Sequence, residues 1–162
     1  MEKHNIDPVY DSNSKILILG SFPSVKSREQ KFFYGHPQNR FWRVLSKVLN
    51  EVEPNTVDEK KRMLLRNNIA VWDVVKSCEI SGSSDNTIEN VEVNDIDSIL
   101  EESKIFQIFT NGNTAYKLFK KYFPKELAVI KLPSTSPANA QYNLERLCNS
   151  WQKISCFLNK NS

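Results

Sequence analysis

The sequence predicts an α/β fold: a three-layer α/β/α sandwich around a mostly parallel four-stranded sheet. Two patterns predict it. Short apolar runs stop abruptly at Gly or polar residues, at 15–20, 69–75, 105–109 and 127–132. Most of the segments between them carry apolar residues at helical spacing. A continuous apolar run reads as a strand buried on both faces of a parallel sheet, and strand–helix alternation reads as α/β. Crossovers in such sheets are right-handed. Ligands bind outside the carboxyl ends of the strands, so the segments after each strand are where chemistry is expected.

Taken in order, residues 1–14 are polar, with Pro8 and Asp11 to Asn13 marking turns, and predict a loosely packed arm. Lys15 to Gly20 is the first strand, and Ser21-Phe22-Pro23-Ser24 the turn after it. Residues 25–38 read as a long basic and aromatic connection, the kind of loop that is usually functional. A helix is predicted from about Asn39 to Asn50, with Phe41, Leu45, Val48 and Leu49 on one face. Thr56-Val57-Asp58-Glu59 is a capping box opening a helix through Met63, Leu64 and Leu65. Ile69 to Val75 is the second strand, and Ser77 to Asn86 a loop. Asn94 is placed to cap a short helix carrying Ile96, Ile99 and Leu100. Ile105 to Phe109 is the third strand, stopping at Thr110-Asn111-Gly112. A helix with Ala115, Leu118, Phe119 and Tyr122 follows, then the fourth strand, Leu127 to Leu132. Pro133 to Asn139 is a rigid polar loop, and the last helix carries Leu144, Leu147, Trp151, Ile154 and Leu158 on one stripe.

The 162 residues predict one domain spanning 1–162, with no repeat and no linker. A formal net charge of +3 permits a basic face but does not establish nucleic-acid binding. The three cysteines, Cys78, Cys148 and Cys156, are odd in number and form no CxxC. That argues against a disulfide framework, a zinc site or an iron–sulfur cluster, and reduced thiols fit a cytoplasmic protein. No signal peptide is expected, and no apolar run is long enough to span a bilayer.

The candidate site residues each admit a plain reading and a chemical one. Gly20 to Ser24 lacks GxGxxG and GxxxxGK[ST], so a dinucleotide or P-loop site is not expected. Asn111 can cap the helix that begins near Gly112, or its carboxamide can read the edge of a base. Ser134, Thr135 and Ser136 can end a strand, or offer hydroxyls and backbone N–H groups to a phosphate. His36, between Gly35 and Pro37, reads either as a structural histidine or as one with a direct role. Tyr34, His36 and Gln38 crowd the mouth of the helix that Asn39 opens, which packing alone does not require. No HxE…PCxxC pattern is present, which excludes a zinc deaminase.

Together, Leu17 to Ser24, Tyr34 to Trp42, Trp72-Asp73-Val74, Asn111-Gly112 and Leu132 to Asn139 resemble the uracil-DNA glycosylase superfamily, and within it the hypoxanthine-DNA (deoxyinosine) glycosylases. The resemblance covers nearly the whole chain. It implies hydrolysis of the N-glycosidic bond of a damaged base flipped out of DNA, with no metal and no organic cofactor. Much of the superfamily holds the attacking water with an acidic or amide residue two positions after the first-motif Gly. Phe22 stands there and cannot do so. The hypoxanthine branch is similar in lacking it and uses an Asn in the His-Pro-x-Asn segment, here Asn39. Tyr34, with Phe33 as the next choice, matches the aromatic that stacks on the extruded base, and Asn111 the residue that reads its edge. Ser134 stands where uracil-specific enzymes have a His, and Ala138 where they have a bulky wedge. Asn139 is a candidate to occupy that gap.

The expectation is therefore a monofunctional DNA glycosylase acting on deaminated bases, hypoxanthine first, as a monomer and without a lysine nucleophile. Asn39 is the expected catalytic residue and orients water. Tyr34, Phe33, Ser21, Phe22 and Asn111 bind the base, while Ser134, Thr135, Ser136 and Asn139 bind the DNA backbone. The alternatives are a uracil or mismatch-specific glycosylase, and a non-catalytic nucleic-acid-binding module on the same fold. A small-molecule hydrolase using Ser21 or Ser24 is weaker still, because no GxSxG elbow is present.

Overall fold

A computed structural model describes residues 2–3, 6–80 and 88–159. Its elements run β1 (Glu2–Lys3), β2 (Ile16–Gly20), α1 (Val25–Gln30), α2 (Phe41–Val48), α3 (Val57–Arg66), β3 (Ile69–Asp73) and β4 (Val75–Glu79). They continue as β5 (Glu89–Val93), α4 (Ile96–Glu101), β6 (Gln107–Asn111), α5 (Asn113–Tyr122), β7 (Val129–Leu132) and α6 (Leu144–Asn159). The central sheet has four strands in the order β3-β2-β6-β7, all parallel.

Side chains on a strand alternate between faces, and here the alternation sorts the core into two layers. Ile16 and Ile18 of β2, Ile69 and Val71 of β3 and Phe109 of β6 share one cluster with Phe41, Trp42 and Leu45 of α2, Met63 and Leu64 of α3, and Leu147, Trp151 and Ile154 of α6. Leu17 and Leu19, Ala70 and Ile108 share the other with Ile96 of α4 and Phe119 of α5. Each large side chain so buried contributes about 1.5–3 kcal/mol of transfer free energy. Helices on both faces of the sheet make the α/β/α sandwich that the apolar runs predict.

At the carboxyl ends of these strands the first of those two rows changes character. Gly20 pairs with Asp73 on one side, and Leu19 with Thr110 on the other, which sets Asn111 level with Gly20. The row that reads Ile16-Ile18 on β2, Ile69-Val71 on β3 and Phe109 on β6 thus ends in Gly20, Asp73 and Asn111. The apolar face turned toward α2 and α6 closes with a missing side chain between a carboxylate and a carboxamide. This change of character is what positions the site.

Several elements differ from the sequence expectation. Residues 25–30, expected as part of a long connection, form α1, because Ser24 caps it by accepting from the Ser27 N–H at 3.1 Å. The second strand ends at Asp73. Val75 to Glu79, expected as the end of that strand and the start of a loop, forms β4 in a second, three-stranded antiparallel sheet of order β1-β4-β5. Of the expected loop, residues 81–86 lie outside the described residues. Asp95 caps α4, not Asn94, whose Nδ2 turns inward to donate to the Asp73 carbonyl at 2.9 Å. The described part of the N-terminal arm is packed, not loose. Ile6 and Val9 are buried, Val9 bridges Val71, and the Trp72 indole N–H donates to the Ile6 carbonyl.

Candidate active site

A cavity of about 360 Å³ opens over the carboxyl ends of β2, β3 and β6, a volume typical of small-ligand sites. Gly20, Asp73 and Asn111 border it from the strand ends, Tyr34 and Asn39 from the segment before α2, and Thr135 from the loop after β7. Ser21, Phe22, Phe33, Ser134 and Ser136 also line it, so all of the expected site residues but one meet in a single cavity. The exception, Asn139, borders an adjoining and more open depression that also carries Lys131 and Lys153.

The segment 33–39 is pinned from three sides. The Gly35 N–H donates to the buried Ser27 hydroxyl of α1 at 2.8 Å, and the Trp42 indole N–H donates to the Phe33 carbonyl at 3.2 Å. The Asn39 N–H donates to the His36 carbonyl at 2.9 Å. Between these ties Tyr34 takes a left-handed backbone conformation with φ of 52°. A bulky residue rarely adopts it outside functional or strained positions. It turns the ring onto Phe41, stacked at 4.0 Å between centroids and 15° between planes, so that Tyr34 bridges the core and the cavity. Phe33 sits deeper, 1% exposed and edge-on to Phe32, and forms inner wall rather than rim. Phe22 is also buried, with the Arg28 guanidinium 5.1 Å from its ring centroid. His36 stands exposed at the mouth, its Nδ1 accepting from the Gln38 N–H at 3.1 Å, which in the neutral ring places the proton on Nε2.

Asn39 is held by its oxygen. Oδ1 accepts from the Phe41 backbone N–H at 2.9 Å and from the Thr135 hydroxyl at 2.8 Å. A backbone N–H can only donate, so the oxygen end of the carboxamide is fixed, and the amide end, Nδ2, is what Asn39 has left to offer the cavity. Thr135 is engaged twice more. Its N–H donates to Asn111 Oδ1 at 3.0 Å, and its hydroxyl oxygen accepts from Asn111 Nδ2 at 3.0 Å. The donors thus run in one direction, from Asn111 Nδ2–H to the Thr135 hydroxyl to Asn39 Oδ1. Each bond polarises the next and makes the remaining Asn39 N–H a better donor. After this pairing Asn111 keeps one amide N–H and one oxygen lone pair for a ligand.

The loop that carries Thr135 is held in turn by Arg40. The Arg40 backbone N–H donates to the Thr135 carbonyl at 3.1 Å. Its guanidinium donates to the carbonyls of Ser136 at 2.8 Å, Asn139 at 3.2 Å and Thr135 at 3.4 Å, and to that of Tyr142. From the far side, the Trp151 indole N–H of α6 donates to the Pro133 carbonyl at 2.9 Å.

A sequence model of the Uracil DNA glycosylase superfamily matches residues 8–156. The chain belongs to the uracil DNA glycosylase superfamily. Two of its relatives within this superfamily are described as hypoxanthine DNA glycosylases. One, from Methanosarcina acetivorans, is 35% identical over 158 residues, covering 95% of this chain and 98% of the relative. The other, from Methanosarcina barkeri, is 39% identical over 104 residues, covering 63% of this chain and 65% of the relative. A solution NMR structure from M. acetivorans, described as that of a candidate uracil DNA glycosylase, superposes with a TM-score of 0.77 at 31% identity, covering 96% of this chain and 99% of that one.

Set within the superfamily's fold, one expected role changes. Thr135 was assigned with Ser134 and Ser136 to hold phosphate, but it is fully buried and its hydroxyl is engaged by Asn39 and Asn111. It is a clamp between two carboxamides. Ser134 and Ser136 are only half-buried and accept from the backbone N–H groups of Ser136 and Ala138, each at 3.1 Å. Their hydroxyl protons stay available for an anion. Two residues were given no role by sequence reasoning: Arg40, and Asp73, which borders the cavity at 3% exposure. The signal for Asp73 was present, an acid inside the otherwise apolar run 69–75. Arg40 left none, because its partners lie about a hundred positions away.

Thr135→Val keeps the side-chain shape and removes the hydroxyl. Asn111 Nδ2 loses its acceptor and Asn39 Oδ1 one of its two donors, a change expected to cost about 1–3 kcal/mol. Urea unfolding of the variant measures that cost. Base-excision activity should fall as well, because Asn39 is then fixed by the Phe41 N–H alone.

Proposed function

We propose that the protein is a monofunctional glycosylase that hydrolyses the N-glycosidic bond of a deaminated base in DNA, with hypoxanthine as the first substrate. Its relatives' descriptions name that base, and one observation in this chain carries the reading. A single cavity brings together an aromatic ring suited to stack on a base and a carboxamide whose oxygen is locked, so that its amide protons face a ligand.

The steps follow from these groups. An extruded base stacks on Tyr34, which returns about 1–3 kcal/mol against an unstacking cost of a few kcal/mol that is smallest at mispaired positions. As the C1′–N9 bond breaks, its electron pair passes to the base and C1′ gains cationic character. Asn39 Nδ2–H holds a water oxygen by one lone pair and leaves the other for C1′. An amide is too weak a base to remove the water's proton, so its contribution is positioning, and the proton leaves to solvent after the new C1′–O bond forms. The remaining Asn111 N–H and backbone N–H groups near Ser21 stabilise charge on the departing base. Water is the nucleophile, no covalent enzyme intermediate forms, and the strand is left uncut. Ser134, Ser136 and Asn139, with Lys131 and Lys153 beside them, provide the surface for the phosphate backbone.

Duplexes carrying deoxyinosine, deoxyuridine or deoxyxanthosine, scored for abasic sites, test the reading. Abasic sites are expected first and fastest in the deoxyinosine duplex. A protein that binds all three with salt-dependent affinity yet releases no base is a binding module instead.

A further inference from the structure

We propose that Asp73 is the specificity-determining residue of this cavity, its carboxylate accepting the ring N–H that deamination creates on a base. The proposal rests on the glycosylase reading above and adds to it what distinguishes a deaminated base from its parent, hypoxanthine from adenine and uracil from cytosine. Asp73 ends β3 level with Gly20, lines the cavity and is 3% exposed. Its backbone is held on both sides. Its carbonyl accepts from Asn94 Nδ2 at 2.9 Å, and the next residue's N–H donates to the Gly20 carbonyl at 2.8 Å. Gly20 makes the room that this carboxylate takes up. A Cβ on residue 20 would lie 2.5 Å from Asp73 Oδ1 and 2.9 Å from the Tyr34 hydroxyl. The Asp73 carboxylate and the Tyr34 hydroxyl therefore both occupy the place a side chain at 20 would take, and any Cβ there would collide with them.

The chemistry of that point decides what it reads. An ionised carboxylate only accepts hydrogen bonds. Adenine has a bare lone pair at N1 and cytosine one at N3, and each would face the carboxylate lone pair to lone pair. Deamination to hypoxanthine or uracil places a proton on that same nitrogen, so repulsion becomes a hydrogen bond to a charged acceptor. A carboxamide here would rotate to donate to adenine N1 and lose the distinction. Asn111, with its oxygen and nitrogen already oriented by Thr135, keeps one N–H for the adjacent carbonyl oxygen. Asp73 and Asn111 stand on the two strands that flank Gly20, so an acceptor and a donor can meet adjacent ring N–H and carbonyl groups of one base. The contact selects the base and does not speed its departure, since a negative charge beside a departing base does not help it leave.

The test compares second-order rate constants for excision, taken in single turnover at protein concentrations well below saturation, of deoxyinosine and of the purine 2′-deoxyriboside, whose N1 is bare, by wild-type protein and by Asp73→Asn. Each rate is referred to the uncatalysed hydrolysis of its nucleoside. The ratio of the two rates is expected to fall about 10- to 100-fold in the variant, because the amide accepts and donates equally well. A purely structural role for Asp73 would slow both substrates alike, and an unchanged ratio overturns the proposal while leaving the glycosylase reading intact. A wild-type protein that releases neither base overturns both. If Asp73→Asn does not fold, Asp73→Ser, whose hydroxyl also donates and accepts, carries the same expectation and the same refutation.

Discussion

Arg40→Met is expected to lower the free energy of unfolding by about 3 kcal/mol, the value of one or two charge-assisted hydrogen bonds lost outright. Its guanidinium reaches four main-chain carbonyls of the segment after β7, those of Thr135, Ser136, Asn139 and Tyr142. A methionine side chain preserves the apolar stem but donates to none of them, leaving only the backbone N–H of residue 40 on the Thr135 carbonyl. The site is half-buried, so water replaces part of what is lost, and the estimate stays well below the sum of four bonds. For a chain of this length a loss of that size lowers Tm by roughly 6–12 °C, which thermal unfolding followed by circular dichroism will read. The variant should also lose activity, because the carbonyls it frees belong to the loop that holds Thr135 against Asn39. An Arg40→Met protein that melts with the wild type would show that the guanidinium is not needed to hold this loop.

The sheet was legible because a strand buried on both faces admits no polar residue until it leaves the core. Ile16 to Leu19, Ile69 to Val71 and Ile108-Phe109 announce themselves in that way, whereas the edge strand β7 is only half-buried at Val129 and Ile130 and is marked by its short apolar run alone. Capping chemistry is local, so the Thr56 capping box was equally plain, and Thr56 does accept from the Glu59 N–H at 3.0 Å. The second sheet was not legible. Lys76, Ser77 and Glu79 of β4 are polar, and the strand's existence depends on β1 and β5, one of them some seventy residues away along the chain. Helix α1 was missed for a related reason. Its six residues are mostly polar and bury only Ser27, so no apolar stripe reveals it. Asn94 and Asp95 are both good caps; which of them points at α4 is decided by the Asp73 carbonyl, a tertiary partner.

The same division runs through the site. That Asn39 and Asn111 were candidates followed from their places at a helix mouth and a strand end. That one threonine joins them did not, because a hydroxyl in a polar loop looks the same whether it faces solvent or two carboxamides. The inward turn of Thr135 depends on Arg40, and the sequence shows nothing of a contact between the start of one helix and a loop about a hundred residues later.

Asn39→Ala is expected to raise the barrier to base excision by about 3–4 kcal/mol, the effect of removing one well-aimed polar group from a reacting centre. The loss has two parts. The attacking water is no longer held against C1′, and the Phe41 N–H and the Thr135 hydroxyl lose the oxygen they share. Asn39→Asp separates them. An aspartate at this position keeps an oxygen for both donors and so preserves the fold of the loop, but exchanges the amide protons for a second acceptor. Its stability should match the wild type while its rate need not.

The most direct measurement is the release of free hypoxanthine from a deoxyinosine duplex in a single turnover, with wild type and Asn39→Ala compared side by side after both are shown to be folded. The account predicts release by the wild type, and release slower by a factor of about a hundred to a thousand in the variant. Equal rates in the two proteins, or no free base from the wild type, would contradict it.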